Sequence, residues 1–414
     1  MEKTIVIGGG LMGSSAAWQL SRQGEQVLLI EQQQSVYKNG SSYGESRIAR
    51  SLGPEDDIFS YLHNKSVAEA KQLISFLNAA SNGNTHSMED IYTHSPVTYV
   101  FDHTSIEEMK AICHEKQTDA YKIASHTNAH EVLGMTIPSS DTVIREFTDY
   151  SGTFNPRVLI AKLHEGIRQY GNRILYGYKI AGISRKHGHY EIEAVDLQTQ
   201  ETKLFLTEKL VVAAGPYTGE LLKHIAPQFG TLITPKRVFT SFFKIKASVY
   251  LTYSADEKEA IRQSQPSYFQ YDGLFYSMID RIDDDGLPVF KAGAHGIYHS
   301  IENMDECWNT QPTDENVEWV RERLYRYLKM LNISIQESDL EYVHKQSCVY
   351  SLTVNGLPFV TPATQGDNSM VVIGGMNGIG GKGSMCYGLI AANLLLGKEE
   401  EEAMYKKTLE ALRK

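Results

Sequence analysis

The chain has 414 residues, 42% of them hydrophobic and 22% charged, with a net charge of −10. These are the proportions of an ordinary globular protein with room for two domains and a large core, and the negative balance without any basic cluster speaks against a nucleic-acid surface. The apolar runs are too short to span a bilayer, and with a strand expected from the first residues and LEALRK as the last ones, neither a leader nor a peroxisomal address is expected.

Thr4 to Ile7 is an apolar run rich in β-branched side chains and reads as a strand. It stops at a glycine cluster, a helical stretch runs from Leu11 to Gln23, and a second apolar run, Gln26 to Ile30, ends on the acid Glu31. This is one β-α-β unit carrying G-x-G-x-x-G as Gly8, Gly10 and Gly13, with the acid 18 residues after the last glycine. Gly8 lets the chain turn, Gly10 lets a pyrophosphate approach the backbone, and Gly13 lets helix and strand pack closely. The N–H groups that open the helix, at Leu11 and Met12, would hold the phosphates, and Glu31 would take a ribose hydroxyl. Three glycines alone could be a plain turn, but strand, helix, strand and acid together indicate a dinucleotide site for NAD or FAD.

A polar loop follows from Gln32 to Glu55 and holds Arg47 and Arg50 three residues apart. Loops of this length inside a compact domain are usually functional or disordered. An amphipathic helix is expected over Ile58–Leu77. From about Ser81 to Arg145 the pattern loosens, with one strand at Pro96–Phe101 and one helix in SIEEMKAICHEK, opened by a capping box of Ser105 and Glu108. Next come a helix with Pro156 near its start, a strand from Arg173, the alternating strands HYEIEAV and TKLFL, and the strand KLVVAAG. The last breaks at Gly215 before another helix; it reads either as a second wall for the dinucleotide or as an ordinary buried strand.

From about Pro235 to Asp339 the text is rich in strands, RVFTSFFKI, GLFYSMI and LPVFKAGAHG, with a helix whose apolar face is Val317, Val320, Leu324, Leu328 and Leu331 and whose cap is Thr313 or Asp314. Lys291 follows Val289 and Phe290 on one of these strands. A lysine on the polar face of an alternating strand is the commoner case, and one facing inward lies in a site. A strand at Met370–Ile373 runs into a loop with six glycines between Gly374 and Gly383, Gly375, Gly378 and Gly380 among them, then a helix over Met385–Leu396. Such density lets backbone N–H groups face a ligand and holds Lys382 close to it. KEEEEAMYKK beyond reads as a solvated helical tail. The four cysteines, Cys113, Cys307, Cys348 and Cys386, form no C-x-x-C pair and indicate neither a disulfide framework nor a metal site, so a reducing cytoplasmic location is expected.

These features in this order resemble the D-amino-acid-oxidase superfamily of flavoproteins, and within it the monomeric sarcosine oxidase and N-methyltryptophan oxidase branch, from about Glu2 to Gly397. The resemblance implies an α/β (α+β) fold: a discontinuous Rossmann-like FAD-binding domain of residues 1–85, 146–232 and 340–414, and a mainly antiparallel substrate domain of residues 86–145 and 233–339. In GSSYGESRIARSLG it places Arg47 near the flavin ring and Arg50 on the substrate carboxylate, with Ser42 against the cofactor and Tyr43 against the substrate where the family has histidines. FKAGAH puts Lys291 on the oxygen-activating lysine and His295 on the histidine four residues on. GLFYSM puts Tyr276 on an active-site tyrosine, SCVYSLT puts Cys348 on the covalent flavin cysteine, and GMNGIGGK puts Lys382 on a second carboxylate-binding group.

The implied activity is oxidation of a secondary amino acid by hydride transfer to FAD, with O₂ reduced to hydrogen peroxide and the imine hydrolysed, in a monomer that needs only a small amine or amino acid and O₂ as partners. Replacement of both histidines changes the wall above the flavin and counts against sarcosine itself, leaving glycated amino acids, pipecolate and larger N-alkyl amino acids open as substrates. Two other readings keep the cofactor: a dehydrogenase of an amino or hydroxy acid with a non-oxygen acceptor, and a flavin-containing sensor without turnover. The fingerprint alone also admits an NAD-dependent dehydrogenase.

Overall fold

The computed structural model describes residues 1–413 other than Val36, 54–56, Asn82, Asn84 and 114–118. The opening unit is β1 (Glu2–Ile7), α1 (Leu11–Arg22) and β2 (Val27–Glu31). β1 lies parallel between β2 and the strand Thr202–Val212, and the sheet is extended in parallel by Arg173–Tyr176 beside β2 and Asp367–Gly374 beside Thr202–Val212. Both faces of a parallel sheet are covered, so its strands are apolar where the layers meet, as in Ile5–Ile7, Leu210–Val212 and Met370–Ile373. Val6, Leu29, Val211 and Val371 face a core shared with α1 and the helices Pro156–Gln169 and Ser384–Leu396. Ile5, Ile7, Leu28, Ile30, Leu210 and Val212 face the opposite core, with Ile180, Ile183 and Phe229.

TKLFL and KLVV, read as two strands, form one: the first half of Thr202–Val212 pairs antiparallel with His189–Asp196, the second half parallel with β1. The change of partner explains why its residue pattern reads as two. The loop after Glu31 is not structureless. It contains β3 (Arg47–Ala49), which pairs with Gly152–Phe154, itself paired with Tyr92–His94; the loop's far end, Glu55, lies outside the described residues. The amphipathic helix expected over Ile58–Leu77 is α2 (Ile58–Ala80), capped by the Asp57 carboxylate on the Ser60 N–H. The capping box of Ser105 and Glu108 is present on a helix of Ile106–Ile112, which ends earlier than expected because Cys113 is extended; His114 to Lys116, the rest of the expected helix, lie outside the described residues.

The second sheet runs in the order Leu340–Leu352, Thr234–Ile245, Pro288–Ala294, Phe275–Ile282, Ser267–Phe269, Val97–Asp102, Asp141–Glu146 and Tyr121–Ser125. It is antiparallel except where Ser267–Phe269 meets Val97–Asp102. Residues 340–352, grouped from the sequence with the nucleotide-binding part, are thus an edge strand of this sheet. One face packs Phe239, Phe243, Phe275 and Phe290 under the helix Asp314–Met330, through Val317, Val320, Leu324 and Leu328; Thr313 is its cap. The other face carries Lys291, Tyr276 and Cys348. The charged tail corrects a second expectation: the helix Ala403–Leu412 buries Tyr405, Thr408 and Leu412, an i, i+3, i+7 stripe inside a run dominated by charge, and α2 holds it through Tyr61 and Lys65 on Glu402. Among the described residues no helix is long and apolar enough to cross a membrane.

The turn between β1 and α1 is the tightest part of the fold. Gly8 has φ +97°, and a Cβ there would stand 2.4 Å from the Ala213 carbonyl oxygen; a Cβ on Gly13 would stand 1.8 Å from the Gly8 carbonyl oxygen. Both neighbours are backbone and cannot swing aside. Gly13→Ala is therefore expected to destabilise the chain by at least about 1–3 kcal/mol, the range of overpacked cores, read as a fall in the urea midpoint.

Candidate active site

A single cavity of about 1220 Å³ runs from the glycine turn to the cavity-facing side of the second sheet. At its first end the Gly9 peptide is held on both sides. Its N–H donates to the Glu31 carboxylate at 2.6 Å, and its carbonyl accepts from the Ser14 hydroxyl at 2.7 Å and from the Tyr37 hydroxyl. Burial raises the Glu31 pKa, and N–H donors from Gln33 and Gly9 oppose that shift. Because the Ser14 proton goes to Gly9, the Ser14 oxygen must accept from His164 Nε2 at 2.8 Å. His164 Nδ1 then accepts from the Tyr176 hydroxyl at 2.7 Å, whose oxygen accepts from Arg168 at 2.9 Å. Burial draws His164 down to about 3, so the ring is neutral and this chain of donors fixes its tautomer. Ser42 stands at the start of α1, where its hydroxyl accepts from the Leu11 N–H at 3.1 Å.

The loop that carries Ser42 is wound around Arg47. The guanidinium donates to the carbonyls of Ser46 (2.7 Å), Ser41 (2.8 Å) and Tyr43 (2.6 Å). The Ser46 carbonyl also accepts from Lys291 Nζ at 2.9 Å, and the Ser46 hydroxyl donates to Asp280 at 2.6 Å. Alternation along Pro288–Ala294 sends Phe290 and Ala292 into the core and Lys291 to the cavity. It is only 3% exposed, which corrects the commoner reading of a solvent-facing lysine. Burial first and Arg47 second draw Lys291 down to about 7.

Arg50 lies between two tyrosine rings, 5.5 Å from the centroid of Tyr99 and 4.9 Å from that of Tyr268. Tyr99 donates to Glu146 at 2.6 Å, and Glu146 also accepts from the Ser51 N–H at 2.7 Å. Burial opposes the Arg50 charge, and Tyr99, Tyr268 and Glu146 more than offset it. Lys382, on the turn Gly380–Gly383, is drawn down to about 7 by burial and then by Arg50, with Asp57 and Glu146 pulling the other way. His295 bonds Tyr350 through Nδ1 at 2.5 Å and lies 4.5 Å, centroid to centroid, from Tyr276; burial and the cations Arg50, Arg47 and Lys291 draw it down to about 3, so it is neutral.

The glycine-rich loop is pinned to the strand Leu340–Leu352 by Asn377, whose N–H donates to the Ser351 carbonyl at 3.1 Å and whose side chain accepts from the Thr353 N–H at 2.8 Å. Gly375, Gly378 and Gly380 line the cavity, as do Gly215, Cys348, Gly8, Gly10, Leu11, Met12 and Glu31. Gly13 stays behind the turn as a packing residue. Tyr43, expected to touch substrate, does not line the cavity: its ring packs on the first core and its carbonyl holds Arg47. Among the described residues no group of three His, Cys, Asp or Glu side chains could hold a metal.

Sequence reasoning missed Tyr37, Tyr99, Glu146, His164, Tyr268 and Tyr350. Only Tyr350 left a usable signal, two residues beyond Cys348 on the same strand face.

The FAD dependent oxidoreductase family description matches residues 3–394. The probable sarcosine oxidase of Arabidopsis thaliana is 26% identical over 397 residues, 95% of this chain and 88% of that protein. The N-methyl-L-tryptophan oxidase of Yersinia pestis (strain Pestoides F) is 22% identical over 395 residues, 94% of this chain and 93% of that protein. Among solved structures, the open form of NikD, an unusual amino acid oxidase essential for nikkomycin biosynthesis, superimposes with a TM-score of 0.73 at 16% identity, covering 99% of this chain and 97% of its own; the two share a fold.

Lys291 supplies a test. In the folded chain it loses its proton above about 7, whereas unfolded it keeps it to 10.5. Between these values the unfolded state binds more protons, so this residue makes stability rise with pH across that window. Lys291→Met removes the contribution. The cofactor-free variant is expected to gain most over the wild type at pH 6–7 and progressively less toward pH 10, measured by urea unfolding across the series.

Proposed function

The chain belongs to the FAD dependent oxidoreductase family, and we propose that it oxidises a secondary amino acid, N-methyl or otherwise N-alkyl, with O₂ as the electron acceptor and hydrogen peroxide as a product. The observation that carries this reading is the pair Arg50 and Lys382, two cations at one end of a cavity whose other end is a dinucleotide turn.

The residues fit FAD. Gly8 and Gly10, the start of α1 at Leu11 and Met12, and Glu31 would hold its nucleotide part, with the clamped Gly9 peptide fixing the turn behind them. Arg47, Ser42 and the loop of Gly375, Gly378 and Gly380 would hold the remainder, and Cys348 would attach it covalently. When bound, FAD supplies the acceptor for the hydride that leaves the carbon next to the amine nitrogen.

The chain's own side chains do the positioning. Arg50 and Lys382 clamp the substrate carboxylate, each through a charge-assisted hydrogen bond worth about 1.5–3 kcal/mol. Tyr268, Tyr276, His295 and Tyr350 form a wall that excludes water and orients the N-alkyl group. Lys291, beside Arg47, places positive charge where O₂ gains electrons. Its drawn-down pKa lets Nζ give up and regain a proton near neutral pH. The two electrons and two protons that leave the C–H and N–H bonds end on O₂ as hydrogen peroxide, and water hydrolyses the released imine to an amine and an oxo acid or aldehyde.

A panel of N-alkyl amino acids tested for anaerobic bleaching of the bound flavin, then for peroxide under air, checks the reaction. Bleaching without peroxide would overturn the oxygen half of the proposal, and no bleaching by any member would overturn the whole. Arg50→Gln and Lys382→Met are each expected to raise KM about 10–100-fold for the best substrate. Acid precipitation checks Cys348: a yellow pellet is expected, and a colourless pellet under a yellow supernatant would remove the covalent link.

A further inference from the structure

A second, small cavity lies on the opposite side of the second sheet from the flavin site. It has a volume of about 90 Å³ and is lined by Arg237, His299, Ser347, Thr313 and Asn316, among others, none of them acidic. In the pairing of Thr234–Ile245 with Leu340–Leu352, Phe239 faces Ser347 and Val238 faces Cys348. Alternation therefore directs Ser347 and Arg237 away from the face that carries Cys348. Among the described residues, three buried polar atoms here have no hydrogen-bond partner: Arg237 Nε, His299 Nε2 and Ser347 Oγ. Ser347 is only 6% exposed. Orphaned buried polar atoms are rare and costly, and three around one cavity call for an occupant. The cavity also adjoins the N-terminus of the 17-residue helix Asp314–Met330, whose cap is Thr313. The Asn316 N–H of this helix end is taken by the Thr313 hydroxyl, and the first turn carries Asp314 and Glu315, neither of which lines the cavity, so the charge that would draw an anion is that of Arg237.

We propose that this cavity is a binding site for a small oxyanion of the inorganic phosphate or sulfate class. Arg237 supplies the charge, and the Ser347 hydroxyl and His299, in its Nε2–H tautomer, supply directed donors. At about 30 Å³ per water, the volume matches about three waters or one such anion. The site is separate from the flavin cavity yet mechanically joined to it. His299 and Thr310–Thr313 at the small cavity flank the stretch Glu302–Trp308, from which Met304, Asp305 and Trp308 line the outer end of the large one. An anion in the small cavity thus holds both ends of that stretch.

The test is thermal unfolding of the FAD-loaded protein titrated with inorganic phosphate, with sodium chloride holding ionic strength constant. Loaded FAD keeps phosphate out of the dinucleotide turn. A saturable rise in Tm is expected. Ser347→Ala, a small change that leaves the sheet backbone intact, is expected to weaken the apparent phosphate affinity about tenfold, and Arg237→Gln by at least as much. No saturable rise over the chloride control, a rise undiminished in Ser347→Ala, or a crystal grown in phosphate that holds only water between Arg237 and Ser347 would each overturn the proposal.

Discussion

Arg47 is the pin on which the site turns. A guanidinium has donors in a fixed fork, and here three backbone carbonyls within a seven-residue stretch converge on it, which forces the chain to wind around the side chain. Everything the loop carries is placed by that winding. Ser41 donates to the Val349 carbonyl in the second sheet at 2.6 Å, Ser42 reaches the head of α1 in the first, and Ser46 meets both Asp280 and Lys291. One half-buried cation thus joins the two sheets, and the cavity is the space left between them.

The site gathers Arg47, Arg50, Lys291 and Lys382 around one volume, and it does so without setting a carboxylate against each. Carbonyl dipoles hold Arg47 and Lys291, and aromatic faces hold Arg50. Glu146 stands one residue removed, behind Tyr99. Carboxylate partners would satisfy the cations but would also occupy the places an anionic ligand needs. Dipoles and rings keep them charged enough to bind and unpaired enough to be useful. The two lysines show the limit of the device, since both are drawn down toward neutrality by burial and by a neighbouring arginine. A bound carboxylate would push both back up.

What could be read from the sequence was what is local. β1, α1 and β2 stand within a residue or two of the expected bounds because strand period, glycine spacing and helix pattern lie side by side in thirty residues. The short matches at Lys291, His295, Cys348 and Lys382 fell on cavity-lining positions. Tyr99, Glu146 and Tyr268 could not be read, because they meet only when Val97–Asp102 pairs with Asp141–Glu146 on one side and Ser267–Phe269 on the other. Tyr43 went wrong for a different reason: a neighbour in the sequence of two useful arginines can serve them through its carbonyl while its side chain points elsewhere. The three-residue strand Arg47–Ala49 is too short to show any period.

The interleaving of the two sheets also bears on how the protein is made. β1 is flanked by residues 27–31 and 202–212, and the latter strand by 367–374; the second sheet joins 97–102 to 340–352 through everything between. A ribosome delivers residues at about 5–20 per second, so the first strand waits on the order of ten seconds or more for its partner near residue 207. Throughout that interval the edge of a strand whose last three residues, Ile5 to Ile7, are apolar is without its neighbour, and an unpaired edge of that kind is open to pairing with other chains.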